Sequence, residues 1–547
     1  MKKWKKNVGI LLAVLAAACV YYYITLPALN PHSTGFWVFI IYLQIIAVLF
    51  WIFKAGGKEC LKPGGRLGLQ LGEEVKKSIP VKVLTILLVL TVFVYLGGSL
   101  LSSPIINAKK YQSLITITER EFTTDIKEVD YNTIPLLDKA SASLLGNRKM
   151  GSMVDMVSQF EVGEDYTQIN YRGIPTRVTP LEYANGIKWL TNQAAGIPAY
   201  MMIDMTNQET ECVKLEQGIR YSKSEYFNRN LYRHLRFRFP TYIFDDQLFF
   251  EIDEEGTPFW VCPVKKFQIG LFGGQTVGRV VLCNAVTGEC IDYAVEDVPQ
   301  WIDKVYSAEL LTRLYDYYGI LKNGYLNSVL GQKDCLQTTN GYNYIALDDD
   351  VWVYTGVTSV NGDQSNVGFV LMNQRTMETR YYRVEGAIED SAMSSAEGQV
   401  QNLGYRATFP LLLNIADEPT YFMALKDAAG LVKKYAMVNV QRYQWVAIGD
   451  TVQECEKNYT NLLDTNGIVT EHADSYKEVK GVIQNIAPVV LEGTTHYYLI
   501  LENQKDIFDL DLSDTALLGI LRYQQGEQIR LKYAEGYGLH QVKAIIE

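Results

Sequence analysis

The sequence predicts a membrane-anchored α+β protein: three N-terminal transmembrane helices, an outer region of repeated antiparallel helix-plus-hairpin modules, and a C-terminal β-barrel. Three observations predict it. Residues 8–26, 35–53 and 83–101 are runs of 19 residues without a charge. Residues 1–110 hold thirteen Lys and Arg against three acids, while the other 437 residues hold 38 cations and 58 anions. Past residue 168 a turn with Asp or Asn first and Glu sixth recurs between apolar strands, and the last seventy residues alternate as five strands.

Nineteen apolar residues in a helix cover the ~30 Å of a bilayer's hydrocarbon. None of the three runs has the polar face of a buried core helix, so each reads as a span. Direction follows from the cations, which stay in the cytoplasm when they flank spans in short loops. Lys2, Lys3, Lys5 and Lys6 precede the first run, residues 27–34 carry no Lys or Arg, and residues 54–82 carry seven. This predicts a multi-pass protein of the cell membrane with a cytoplasmic N-terminus and everything after Leu101 outside. Ala16-Ala17-Ala18-Cys19 loosely resembles a lipoprotein cleavage box, but Tyr21-Tyr22-Tyr23-Ile24 continues the apolar run where a cleaved lipoprotein has a polar tether.

The expected divisions are an anchor at 1–104, a connector with a helix at 105–168, α+β modules at 169–475 and a barrel at 476–547. Thr179-Pro180-Leu181-Glu182 has the spacing of a capped helix start, predicting a helix to about Gln193. Hairpins are then expected around turns at Asp204 to Glu209, Asn284 to Glu289 and Asn373 to Glu378, because Asp and Asn bond to backbone amides two residues on. Helices near 299–318 and 391–403 separate them. Strands are expected at 478–490, 495–502, 506–511, 527–533 and 538–546, with a short helix at 513–521.

Val281-Leu-Cys-Asn284-Ala285-Val286-Thr287-Gly288-Glu289 is similar to the hairpin of PepSY domains, small helix-plus-hairpin modules, with Asn284 where that pattern has Asp. The resemblance implies binding or inhibitory roles and brings no catalytic residue. The order of the final strands resembles an OB barrel, a fold that often binds oligonucleotides or sugars. That segment holds seven cations and ten anions, and the acidic outer region as a whole repels phosphate backbones, so no nucleic-acid partner is expected.

No catalytic constellation is expected, nor any cofactor. His234, His472, His496 and His540 lack metal-ligand spacing and read as hydrogen-bonded histidines. Asp348, Asp349 and Asp350 offer the hard oxygens that calcium prefers, and so does the stretch from Glu251 to Gly256, yet both lie between apolar strands and read as hairpin turns. Gly270 to Gly274 lacks the Lys-Ser or Lys-Thr of a phosphate loop and reads as a strand bend. Six cysteines lie in the outer region, and Cys283 with Cys290, flanking one turn symmetrically, is the disulfide candidate. The functional expectation is a non-catalytic interaction or assembly protein of the bacterial cell envelope, with the lipid bilayer and a protein as partners. Two alternatives stand beside it: an accessory subunit of a membrane transport or secretion complex, and an envelope hydrolase with a dispersed active site.

Overall fold

A computed structural model describes residues 15–56, 61–64, 68–71, 73–128, 134–347, 349–361, 365–468, 477–491, 494–502, 504, 506–512, 515–534 and 539–546. The chain divides into two units, Met1–Tyr459 and Thr460–Glu547.

In the first unit the helices Thr34–Gly56 and Ile79–Leu101 are long and apolar enough to cross a membrane. At 23 residues, each covers about 34 Å. They lie side by side, with Gln44 donating to the Thr91 hydroxyl at 3.0 Å. Of the first expected span, residues 8–14 lie outside the described residues; Leu15–Thr25 is an apolar helix whose Tyr21 stacks on Phe39.

The ends of all three helices on one side are fastened to the body, the first to the helix Leu231–Arg238 and the loop after it, the other two to one hairpin turn. Arg236 donates to the Leu26 carbonyl at 2.9 Å, the Leu29 amide donates to the Pro240 carbonyl at 2.8 Å, and His32 donates through Nδ1 to the Leu271 carbonyl at 2.8 Å. Ser102, at the end of the third helix, accepts on its hydroxyl from the amides of Leu271 and Phe272. Those amides belong to the tight turn at Gly270 to Gly274, a hairpin joining Pro258–Ile269 to Gly273–Asn284. A Cβ on Gly273 would stand 2.2 Å from the Ser102 carbonyl, so the close approach requires glycine.

The body of this unit contains four large sheets, antiparallel except for one parallel edge pair in the third. The first runs Ile174–Tyr183, Ile197–Asp204, Thr210–Ile219; the second runs Phe249–Ile252, Pro258–Ile269, Gly273–Asn284, Cys290–Ala294. The third is built on Asp350–Ser359, Gly368–Asn373 and Thr379–Tyr382, and the fourth on Glu418–Lys426, Val432–Asn439 and Val446–Gly449. Adjacent sheets in chain order share cores. Val178, Ile197 and Met201 meet Phe250, Trp260 and Cys262; Val280 and Leu282, on the opposite face of the second sheet, meet Val353 and Val370; Trp352 and Phe369 meet Tyr421 and Met423. Strands buried on both faces explain unbroken apolar runs such as Val280-Val281-Leu282-Cys283. The connector region also contributes a strand, Ile117–Arg120, which pairs in parallel with Thr379–Tyr382.

The helix expected from Thr179 is a strand instead, and the helix begins later, at Gly186–Asn192, capped by Asn185. Pro180 is tolerated in the strand because its neighbour on that edge changes there, from Thr167–Tyr171 to Phe160–Val162, leaving a gap where no ladder bond is needed. The Thr179 hydroxyl donates to the Gly163 carbonyl rather than capping a helix. Tertiary pairing overrides the local cap pattern.

The second unit is a closed barrel of Lys477–Leu491, Thr494–Leu501, Ile507–Asp511, Leu539–Ile545 and Gln528–Ala534, in that order round the barrel. A 3-10 helix, Thr515–Arg522, joins its third and fourth strands in sequence. Leu499, Phe508, Leu510, Ile520 and Leu531 fill its interior.

Candidate functional site

The turn at Asn284 is set locally. Its side-chain oxygen accepts from the amides of Val286 and Thr287 at 2.9 Å each, its own amide donates to the Glu289 carbonyl at 2.9 Å, and Gly288 takes φ +75°. Since Asn284 and Glu289 form the hydrogen-bonded pair, antiparallel alternation makes the next pair outward non-hydrogen-bonded, the kind whose side chains stand closest. That pair is Cys283 with Cys290. Both are free thiols, as are Cys212, Cys262, Cys335 and Cys455. Cys283 is fully buried in the core shared with Trp260 and Cys262, while Cys290 is half-buried.

The third member comes from a distant helix. Leu231–Arg238, capped by Asn230, buries Leu231 and Leu235 and brings His234 over the hairpin. The donor atoms of His234, Cys283 and Cys290 all lie within 4.8 Å of one another. His234 Nε2 is 2.7 Å from the Gly288 carbonyl oxygen and 3.5 Å from Cys290 Sγ. A nitrogen so close to a carbonyl carries the proton, so this nitrogen donates rather than ligates. The Gly288 carbonyl is also 3.6 Å from Cys290 Sγ. Tyr221 packs its ring on the imidazole, with centroids 4.4 Å apart.

These contacts separate the two thiols chemically. The Cys283 thiol and the His234 N–H, both hydrogen-bonding to Cys290 Sγ, draw the Cys290 thiol well below the ordinary range, with Arg238 adding to the effect. The same bond to Cys290, together with burial, pushes Cys283 far up. Cys290 in turn raises His234. Of the two sulfurs, half-buried Cys290 is the one held toward the thiolate form, and buried Cys283 the one held as the thiol. The symmetry of the two cysteines was legible in sequence; His234, dismissed there, carried no signal because the contact spans 56 residues of chain.

The acidic candidates go elsewhere. Asp348 lies outside the described residues. Asp349 takes φ +65° in a tight turn joining Asn343–Leu347 to Asp350–Ser359 and accepts from the Asn170 side chain at 2.8 Å. Asp350 is held by Arg375 through two bonds, at 2.6 and 2.8 Å, and by Asn373. In the other stretch Asp253 caps a turn, accepting from Glu255 and Thr257, while Glu251 is fully buried. There it accepts from the amides of Asp303 and Lys304 at 3.0 Å each, and burial lifts its carboxyl to about 7. Comparison with protein-family models and with curated proteins finds no match to this chain.

Proposed function

We propose that the protein is a membrane-tethered scaffold for protein assembly on the extracytoplasmic face of the bacterial envelope, held by three spans with its N-terminus in the cytoplasm. The observation that carries this reading is the joint between anchor and body. The outer ends of all three apolar helices meet the same part of the body, the helix Leu231–Arg238 with its following loop and the hairpin turn at Gly270 to Gly274, as an odd number of spans with the body on one side requires. The same surface carries the groups a bilayer receives. Leu326, Val329 and Leu330 are exposed beside Tyr325, which packs in a cluster with Tyr111 and Ile269 just beyond the third helix. Lys265, Lys266 and Arg279 line an open groove of about 420 Å³ next to Asn30 and His32. Exposed apolar side chains and cations at this depth complement the interface and anionic headgroups.

The body reads as four copies of one module: a helix, three antiparallel strands, an Asx turn and a fourth strand. In the first three copies the residue after the turn's first position donates back to the second strand: Met205 to Pro175, Ala285 to Pro258 and Gln374 to Val351. Val440 does the same to Pro419, which makes Asn439 the head of a fourth, longer turn that closes at Trp445. The PepSY-like hairpin and the OB-like barrel belong to this reading as contact modules. Stacked modules present edges and turns for partner proteins rather than a cleft. Affinity capture of the intact protein from detergent-solubilised membranes is expected to return a stoichiometric protein partner. A monodisperse monomer with hydrolytic activity overturns the proposal. Protease added to spheroplasts is expected to digest the chain after Leu101 and spare residues 54–82; the reverse pattern defeats the topology.

A further inference from the structure

We propose that Cys290 and Cys283 form a dithiol–disulfide exchange centre acting on peptide-sized organic disulfides, with Cys290 as the attacking sulfur, Cys283 as the resolving sulfur and His234 positioning Cys290. The roles follow from burial and register. Cys290 is the only half-buried member of the pair, and Cys283 is closed off in the core behind it. The two sit in a non-hydrogen-bonded pair, where Cα atoms are about 4.5 Å apart, inside the range a disulfide spans. The bond from His234 Nε2 to the Gly288 carbonyl fixes the imidazole with its N–H edge beside Cys290 Sγ, 3.5 Å away. A thiolate so held is the nucleophilic form, and the proton on that nitrogen leaves no lone pair there for a metal ion.

The exchange balances without any further reactant. Cys290 thiolate attacks one sulfur of R–S–S–R′; the Cys290–S–R bond forms as the S–S bond breaks, and R′S⁻ leaves. The departing thiolate takes the Cys283 proton, and Cys283 attacks Cys290 Sγ. The Cys283–Cys290 bond forms as RS⁻ leaves. Two electrons pass from the dithiol to the substrate disulfide, and one cross-strand disulfide replaces it.

Position adds a second argument. The helix that carries His234 also touches the anchor, with Arg233 over the Tyr23 ring at 4.7 Å and Phe237 against Tyr22 and Tyr23. The centre therefore lies one helix away from the outer end of the first apolar helix, on the face where the proposed topology meets an oxidising compartment.

The test uses the full-length protein in detergent with oxidised glutathione as the disulfide. Residues 280–304 form a single tryptic peptide containing Cys283 and Cys290 and no other cysteine. In the wild type this peptide is expected to lose two hydrogens, while the buried Cys212, Cys262, Cys335 and Cys455 stay reduced. Cys283→Ala is expected to retain glutathione on Cys290, and Cys290→Ala to take none on Cys283. His234→Gln is expected to slow the exchange about tenfold and move the pH midpoint of Cys290 alkylation upward. The groups facing Cys290 are Cys283 and Cys262 from the sheet and His234 and Arg238 from the helix. The wild-type measurement does not depend on the variants folding. The proposal is overturned if the 280–304 peptide stays reduced in folded wild-type protein, if the four buried cysteines react equally fast, or if the reduced protein binds zinc stoichiometrically through these three residues.

Discussion

At Asn284 and at Asn373 the chain makes the same turn. The first amide bonds the sixth carbonyl at 2.9 and 2.8 Å, the Asn oxygen accepts from the third and fourth residues, and the fifth residue takes a positive φ, +75° at Gly288 and +66° at Met377. Asp204 heads a third such turn, with Gln208 at +65°. The residues just outside differ: Cys283 with Cys290, Met372 with Thr379, Ile203 with Thr210. The turn is thus a structural part, and its flanks decide the chemistry. The glycine shows the same division. Positive φ alone does not demand it, since Gln and Met hold that position elsewhere. Gly288 is needed because a Cβ there would lie 2.3 Å from the Tyr221 ring, which packs on His234.

The largest effect is expected at that glycine. Gly288→Val combines overpacking with a β-branched residue at positive φ, and a loss of at least about 3 kcal/mol in urea unfolding is expected, with loss of selective Cys290 alkylation. A stable variant with unchanged alkylation would mean that Tyr221 does not position the histidine.

The segments feeding the two turns come next. Arg220 and Tyr221 donate to the Ala285 carbonyl, and Val305 and Tyr306 donate to that of Gln374. Only the second segment is tied to a buried carboxylate, Glu251. Because the folded carboxyl titrates at about 7 against 4.5, the folded state binds more protons between those values, and this group's stabilisation is full below pH 4.5 and lost as pH rises to about 7. The expected decline is on the order of 3 kcal/mol. Glu251→Gln should flatten that part of the pH–stability profile measured by thermal unfolding; an unchanged slope would assign the dependence to another group.

Smaller effects are expected at the turn heads. Asp204→Ala, Asn284→Ala and Asn373→Ala each remove two or more bonds to backbone amides and should cost about 1–2 kcal/mol, with Asn373 the most costly because it also donates to Asp350. Equal values for Asp204 and Asn284 support a common turn; a loss at only one of them separates the copies. Smallest of all, Gln208→Gly and Met377→Gly should change stability by less than about 1 kcal/mol, since relief of positive φ offsets added unfolded-state entropy.

Features whose physics is local were legible in the order of residues. Two uncharged runs became the helices Thr34–Gly56 and Ile79–Leu101, the Asp and Asn turns closed on their own side chains, and the alternating C-terminal segments became five strands of a closed barrel. Register followed from the turn, which is why Cys283 and Cys290 could be set opposite each other from spacing alone. The remaining features depend on partners remote in the chain. Thr179-Pro180 reads as a helix start until the gap between two neighbouring strands makes room for proline. Ile117–Arg120 gives no sign that its partner is 262 residues on. The fourth turn, longer by one residue, escapes the pattern. His234 becomes part of a site only because Leu231 and Leu235 sink into the core and carry the imidazole to the cysteines. Hydrogen bonds within a turn are written in neighbouring residues; the packing that brings a helix onto a hairpin is settled by burial summed over the whole core.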